Sequence, residues 1–301
     1  MGFIIIDLEF NNMQNITKYY PNIYEECKEL RQLNVQNEII EIGAVKLDKF
    51  MKKTAEYKTY VKPSIFKVLN PKITEITGIT NEHLKNGVSF EEAMNGLKDF
   101  VGEGYIVCSW ATDDIAEIIS NAKYHNYKDI NWIDEYLDVQ YYCTKMLAHK
   151  KVLGLKTALE ELKIKVDKNK LHDALNDADY TAEVFKRLYN GRIVREYIVK
   201  DVYNMPSIRV KDLKNYNAEE IDIDFKCPKC NKEVSVDYPL ALFSWRFVSL
   251  GRCKKCDNKL LQEVILKKTL SGGIAYKDAV TSLDDYDYMN YSYKFKSKKK
   301  Y

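Results

Sequence analysis

The stretch GFIIIDLEF, residues 2–10, decides how the rest of the chain is read. Ile4, Ile5 and Ile6 make a short β-branched run with the composition of a buried strand. Asp7 and Glu9 follow, with one leucine between them. Side chains alternate across a strand, so residues i and i+2 share a face, and these two carboxylates stand side by side, roughly 6–7 Å apart along the backbone. Like charges at that range repel, and burying them unpaired is costly. A divalent cation between them turns the repulsion to use, and an oxygen-rich set of this kind suits Mg²⁺ or Mn²⁺. Taken alone, D-x-E fits a strand that runs out into solvent at least as well. Partners elsewhere in the chain must decide.

The chain has 301 residues, 46% hydrophobic and 30% charged, enough for one sizeable core and a smaller module. No apolar run reaches the length of a membrane span and nothing reads as a signal peptide, so a cytoplasmic protein without a membrane partner is expected. Composition leaves the oligomeric state open. The seven cysteines are an odd number, and four of them form two C-x-x-C pairs, which argues for metal rather than a disulfide framework. The net charge of +3 is unevenly spread. Residues 201–301 hold 19 Lys/Arg against 14 Asp/Glu, a net of +5, which leaves the first 200 residues at −2. A slightly acidic body with a basic C-terminal part fits a carboxylate metal site joined to a phosphate-binding module.

Periodicity places further strands at 39–48 (IIEIGAVKLD), 56–63 (EYKTYVKP) and 105–110 (YIVCSW). Helices are expected over 89–101, where Ser89 caps a first turn rich in Glu, and over 113–125, 154–164 and 173–189. The long segment 11–36 has helical character near Tyr24–Leu33. This order implies a mixed α/β sheet with helices on its faces. Two more acidic stretches stand out. Asp113 and Asp114 open a helix, where acids are common for capping and dipole reasons alone. In LHDALNDADYTAEVF (171–185), His172 precedes a helix that carries Asp177.

Together these stretches resemble the DEDDh 3′–5′ exonucleases, the superfamily of RNase T and the proofreading subunits of DNA polymerases. The D-x-E motif matches Asp7-Leu8-Glu9, and H-x-A-L-x-D-A matches His172 to Ala178 throughout. The register gives the intermediate Asp to Asp114 rather than Asp113; EIIEIGAV (38–45) and ITGIT (76–80) are also similar. The resemblance covers about residues 2–190. It implies a ribonuclease H-like fold and two Mg²⁺ (or Mn²⁺) ions held by Asp7, Glu9, Asp114 and Asp177. Asp7 would bridge both ions and His172 would be the general base, a task suited to histidine near neutrality. Phe10, Ile76 and Trp110 are the nucleotide contacts it suggests. The family often has His-Asn ahead of the second Asp, whereas this chain has Ser109-Trp110, a version similar to the branch that trims histone mRNA and small RNAs. That favours RNA over DNA as the nucleic acid whose free 3′ end is cut to nucleoside 5′-monophosphates.

The knuckles CPKC (227–230) and CKKC (253–256) lie 22 residues apart. Cys227, Cys230, Cys253 and Cys256 can complete a tetrahedral Cys₄ site for one structural Zn²⁺, a zinc ribbon. Between them Phe243, Trp245 and Phe247 alternate as strand residues on one face, either as the ribbon's small core or as a stacking platform for bases. The expected layout is an exonuclease domain (1–191), a linker (192–224), the zinc-ribbon module (225–270) and a basic, Tyr-rich, flexible tail (271–301). The competing reading is a nucleic-acid-binding or adaptor protein that keeps the fold without cutting; the intact acids and His172 speak against it.

Overall fold

The computed structural model describes residues 1–33, 35–167, 171–209 and 213–298. They form two units, Met1–Val202 and Tyr203–Tyr301.

In the first unit, β1 (Gly2–Asn12) leads through a connection containing the short α1 (Ile23–Glu26) to β2 (Asn37–Leu47) and β3 (Lys53–Tyr60). The helices α2 (Pro71–Thr77), α3 (Asn81–Lys85) and α4 (Phe90–Val101) precede β4 (Tyr105–Ser109). After it come α5 (Asp113–Tyr124), β5 (Tyr136–Asp138), α6 (Val139–Met146), α7 (Leu155–Glu161) and α8 (Ala174–Leu188). The sheet order is β3-β2-β1-β4-β5. β1 runs antiparallel to β2 and parallel to β4, so the sheet is mixed, in the manner of a ribonuclease H-like fold. Phe3, Ile4, Ile5 and Ile6 are all buried, because both faces of the central strand are covered. β3, the polar edge strand, starts three residues before the segment expected from the sequence and stops at Tyr60. Charged side chains on such an edge discourage pairing with another chain.

Two sequence devices set the frame. Ser89 and Glu92 cap α4 reciprocally, Ser89 Oγ accepting from Glu92 N at 3.2 Å and Glu92 Oε2 from Ser89 N at 2.8 Å. On the other face, Phe3 and Ile5 pack with Val45, Leu47, Tyr142, Ala178, Ala182 and Phe185. Gly43 of β2 lies beneath the start of α8. A Cβ there would come within 2.2 Å of the Ala174 carbonyl carbon, so only glycine lets the helix sit this low on the sheet.

The connection 11–36 has its own small core of Ile16, Ile23, Cys27, Leu30 and Val35 against Ile65 and Phe66. Two buried polar residues fasten its ends. Asn11 donates to Val68 O at 2.9 Å and accepts from Asn70 N at 3.0 Å. Glu38 accepts from the backbone N–H groups of Ser64, Ile65 and Phe66.

The second unit contains β6 (Pro206–Arg209), β7 (Ser235–Phe243), β8 (Arg246–Arg252), β9 (Lys259–Thr269), β10 (Ile274–Leu283) and α9 (Asp285–Lys298). Strands β7 to β10 form an antiparallel meander, and β6 pairs with β9. Three expectations change here. The tail 271–301 was expected to be flexible, yet it supplies β10 and α9; its last residues, 299–301, lie outside the described residues. Tyr288, Tyr291 and Phe295 recur at helical spacing among lysines, and this stripe covers Val248, Leu250 and Leu261. The expected linker 192–224 divides between the units: Val194 is buried in the first core, while Leu213 and Ile221 cover Phe247, Val264 and Leu266 in the second. Residues 210–212 of that segment lie outside the described residues. The aromatic triplet does not share one strand face either. Ser244, with φ 58°, turns the chain between β7 and β8, which leaves Trp245 39% exposed at the tip. Phe247 is buried and Phe243 packs against Phe295 at 4.7 Å, so two of the three do serve the core.

Candidate active site

Asp7 and Glu9 continue the face of β1 that carries Phe3 and Ile5, which is the face α8 covers. Their partners across β2 are Gly43 and Glu41, and the strand bulges just after Glu9. β4 runs beside β1 with Ser109 opposite Ile6, so its end delivers the start of α5 next to the two acids. Of the two aspartates there, Asp113 is exposed and Asp114 is buried. The Asp114 carboxylate lies beside the Ser109 hydroxyl and the Leu8 backbone N–H, whose dipoles favour its charged form. Behind it, Ser109 Oγ donates to Ala111 O at 2.7 Å and lies 2.8 Å from the Tyr136 hydroxyl.

Asp177 sits in the first turn of α8, lowered onto the sheet at Gly43. Its Oδ2 accepts from His172 N at 3.1 Å. Its Oδ1 is buried without a hydrogen-bond partner among the described residues. His172 is exposed and holds a left-handed backbone, φ 63°. One donor atom from each of Glu9, His172 and Asp177 falls within a group spanning 4.8 Å. Asp7 and Asp114 lie outside that tight group but within electrostatic reach of it.

The electrostatics are those of crowded acids. Burial raises the Asp7 pKa well above the ordinary carboxylate range, and the charges of Asp114, Asp177 and Glu9 add to it. Burial, then Glu41 and Asp177, push Glu9 up to about 8. Burial, then Asp113, pushes Asp114 to about 7, against the pull of the neighbouring Ser109 hydroxyl and backbone N–H groups. Burial also raises Asp177. Crowded hard oxygen donors, one of them a buried carboxylate oxygen without a partner among the described residues, fit divalent cations, whose charge opposes these shifts.

Of the suggested nucleotide contacts, Phe10 is half-buried beyond the bulge and Ile76 is 43% exposed on α2. Trp110 packs against the central core. Sequence reasoning passed over Glu41, Lys58 and Asp173, which form a charged group beside Glu9. Lys58 Nζ lies 2.9 Å from Glu41 Oε1 and also pairs with Asp173. An acid inside the apolar run IIEIGAV was the available signal, because buried glutamates are rare unless paired.

In the second unit Cys227, Cys230, Cys253 and Cys256 meet in one cluster. The Sγ separations of 3.4–3.6 Å are close to the roughly 3.8 Å edge of a tetrahedron with Zn–S bonds of about 2.3 Å. The two knuckles share one backbone design. Asn231 and Asp257 follow the second cysteines with φ 55° and 51°. Each donates its N–H to the carbonyl of the first cysteine at 2.8 Å. Backbone N–H groups of Cys256 and Lys255 hold the Cys253 thiol down at about 6, which favours the thiolate a metal requires.

Residues 4–185 match the RNase_T family model, described as an exonuclease. The DNA polymerase III subunit epsilon of Aquifex aeolicus is 30% identical over 173 residues, which are 56% of this chain and 80% of that protein. A PolC-type DNA polymerase III of Thermotoga maritima is 34% identical over 151 residues, 50% of this chain but 10% of that protein. Among solved structures, a full-length 3′-exonuclease superposes with a TM-score of 0.50 at 17% identity, covering 62% of this chain and 80% of the other. Exonuclease I superposes with a TM-score of 0.50 at 12% identity, covering 93% and 64%. At such identities the structural likeness is one of fold. The family model, spanning more than half of the chain, shows membership: the chain belongs to the RNase_T exonuclease family, as a 3′–5′ exonuclease of DEDDh type.

Proposed function

We propose that the protein hydrolyses single-stranded nucleic acid from its free 3′ end and releases nucleoside 5′-monophosphates. The observation that carries this reading is the convergence of Asp7, Glu9, Asp114 and Asp177 on one end of β1, with His172 bonded to Asp177 and open to solvent. The four carboxylates would hold two Mg²⁺ or Mn²⁺. Bound there, such ions neutralise the acids, promote formation of the hydroxide nucleophile and stabilise the departing oxygen. His172 accepts the proton of the attacking water. The water oxygen bonds to phosphorus, the bond from phosphorus to the 3′ oxygen breaks, and that oxygen takes a proton from solvent, so the shortened strand ends in a new 3′-hydroxyl. The exposure of His172 lets that proton pass on to solvent. Asp177, which accepts the His172 N–H, ties the base to the carboxylate cluster.

The second unit would hold one structural Zn²⁺ through its four cysteines, and the net positive charge of residues 201–301 supports a role in binding phosphates. Among substrates, RNA is favoured by the Ser109-Trp110 pair alone. DNA is the second reading, favoured by the sequence relatives named as DNA polymerases. Digestion of end-labelled RNA and DNA, single- and double-stranded, with and without Mg²⁺, tests the activity and the choice of substrate. The expected result is Mg²⁺-dependent shortening from the 3′ end with release of mononucleotides. A protein that binds these strands but leaves them intact is an adaptor.

A further inference from the structure

Two rows of side chains cross the sheet beneath the start of α8. Asp7, Gly43 and Lys58 make one row, and Glu9, Glu41 and Tyr60 the next. The helix lands on Gly43, between the two ends of the first row. On the β1 side, Asp177 faces Asp7 and Glu9. On the β3 side, Lys58 pairs with Asp173, the residue that caps α8 by accepting from Asn176 N at 3.1 Å. Glu41 joins the two sides. It is only 1% exposed; its Oε2 accepts from Ala174 N at 3.0 Å and its Oε1 lies 2.9 Å from Lys58 Nζ.

His172 stands between these anchors. A left-handed backbone is unfavourable for a residue with a side chain and persists where the surroundings over-determine it. On one side its N–H is taken by Asp177. On the other, its neighbours Asp173 and Ala174 are tied to Lys58 and Glu41. The same lysine keeps Glu41 from being a second unpaired charge opposite Glu9, an arrangement whose loss is strongly unfavourable for a buried acid.

We infer that Lys58 is a positioning residue for the reaction: by clamping Glu41 to Asp173 it fixes the first turn of α8, and with it the placement of Asp177 and His172 over the carboxylates of β1. The inference rests on the roles proposed above for Asp177 and His172. Lys58 acts through the helix rather than on substrate or ion.

The test uses the full chain and two variants. Lys58→Met removes the cation. Asp173→Asn keeps a capping side chain at the helix start but removes the charge that Lys58 holds. Mn²⁺ affinity is measured without substrate by electron paramagnetic resonance, and kcat and KM on a short single strand at saturating Mn²⁺. Each variant is expected to weaken Mn²⁺ binding or lower kcat by roughly 10–100-fold, the usual effect of losing a partner behind a metal ligand, with KM changing far less. Failure of Lys58→Met to fold leaves Asp173→Asn to decide. Folded variants whose Mn²⁺ affinity and kcat stay within about twofold of the parent overturn the inference, even where the melting temperature drops. A parent that neither binds Mn²⁺ nor cuts instead overturns the proposed function, so the two failures are distinguishable.

Discussion

The protein carries two clusters of metal-ligating side chains built on opposite plans. The four cysteines come from two short knuckles, each folded by its own backbone hydrogen bonds. The carboxylates come from β1, α5 and α8, which are distant in sequence and meet only through the sheet. The cysteine cluster closes on itself, with sulfurs 3.4–3.6 Å apart, and has no open ligand position to offer. Asp114 is buried and the other three acids are half-buried; they repel one another and adjoin an exposed histidine. A closed thiolate tetrahedron serves folding, whereas an open set of oxygens has room for water and substrate. Charge tells the same story. Backbone N–H groups lower the Cys253 thiol while Cys253 pushes Cys256 up to about 12, so the cysteines share their protons, whereas burial raises every one of the acids.

If the contrast holds, damage to the two clusters should read out differently. The largest effect is expected from Asp7→Asn, which removes the central carboxylate: mononucleotide release should vanish while binding of a short single strand persists. Asp114→Ala should behave likewise, and Asp113→Ala, at the exposed neighbour, should stay near the parent rate. Rate measurements on the three side by side check this; an Asp7→Asn protein with parent activity dissolves the distinction between the clusters. Next comes the base. His172→Ala is expected to lower kcat by roughly 10²–10⁴-fold, with partial recovery as pH rises and hydroxide becomes available. A pH–rate profile of the variant against the parent measures both features.

Cysteine replacement should strike elsewhere. Cys227→Ser is expected to lower bound zinc, measured by metal analysis, and to expose the second unit to proteolysis, because ligand binding and folding are coupled at such sites. Hydrolysis of a dinucleotide should change little. Loss of dinucleotide cleavage together with zinc would mean that the cysteine cluster supports the reaction directly.

The smallest effect concerns pH and stability. In the metal-free protein Glu9 stands at about 8 and Asp114 at about 7, against unfolded values near 4. The folded state therefore holds protons that the unfolded state has released between about pH 4 and 8, and its stability falls as pH rises through that window. In chelator, the melting temperature should drop by a few degrees from pH 6 to pH 8. Mg²⁺ or Mn²⁺ should oppose the drop, and more strongly at pH 8, where fewer protons must leave. A metal-free protein equally stable at both values would show that the acids are not crowded in solution.

Much of this was legible in the residues themselves because it is local. A run of isoleucines ending in D-x-E reads as a strand with two acids on one face, although what those acids face needed the later motifs. Ser89 and Glu92 cap their helix within one turn, and each C-x-x-C knuckle needs only its own few residues. The helix α8 was visible from its periodicity, while its cap by Asp173 was not. The tertiary structure decided what depends on a neighbour from elsewhere in the chain. The charge-rich tail became β10 and α9 because a sheet face stood ready to cover Tyr288 and Phe295, and Leu213 and Ile221 found the opposite face. The triplet Phe243, Trp245 and Phe247 was split by a turn whose left-handed serine carries no strong sequence signal. Lys58 looked like any lysine on an edge strand; only the register of β1, β2 and β3 brings it to Glu41 and Asp173. Alternation along a strand is a property of a few residues, but the partner across the sheet is set by the path of the whole chain.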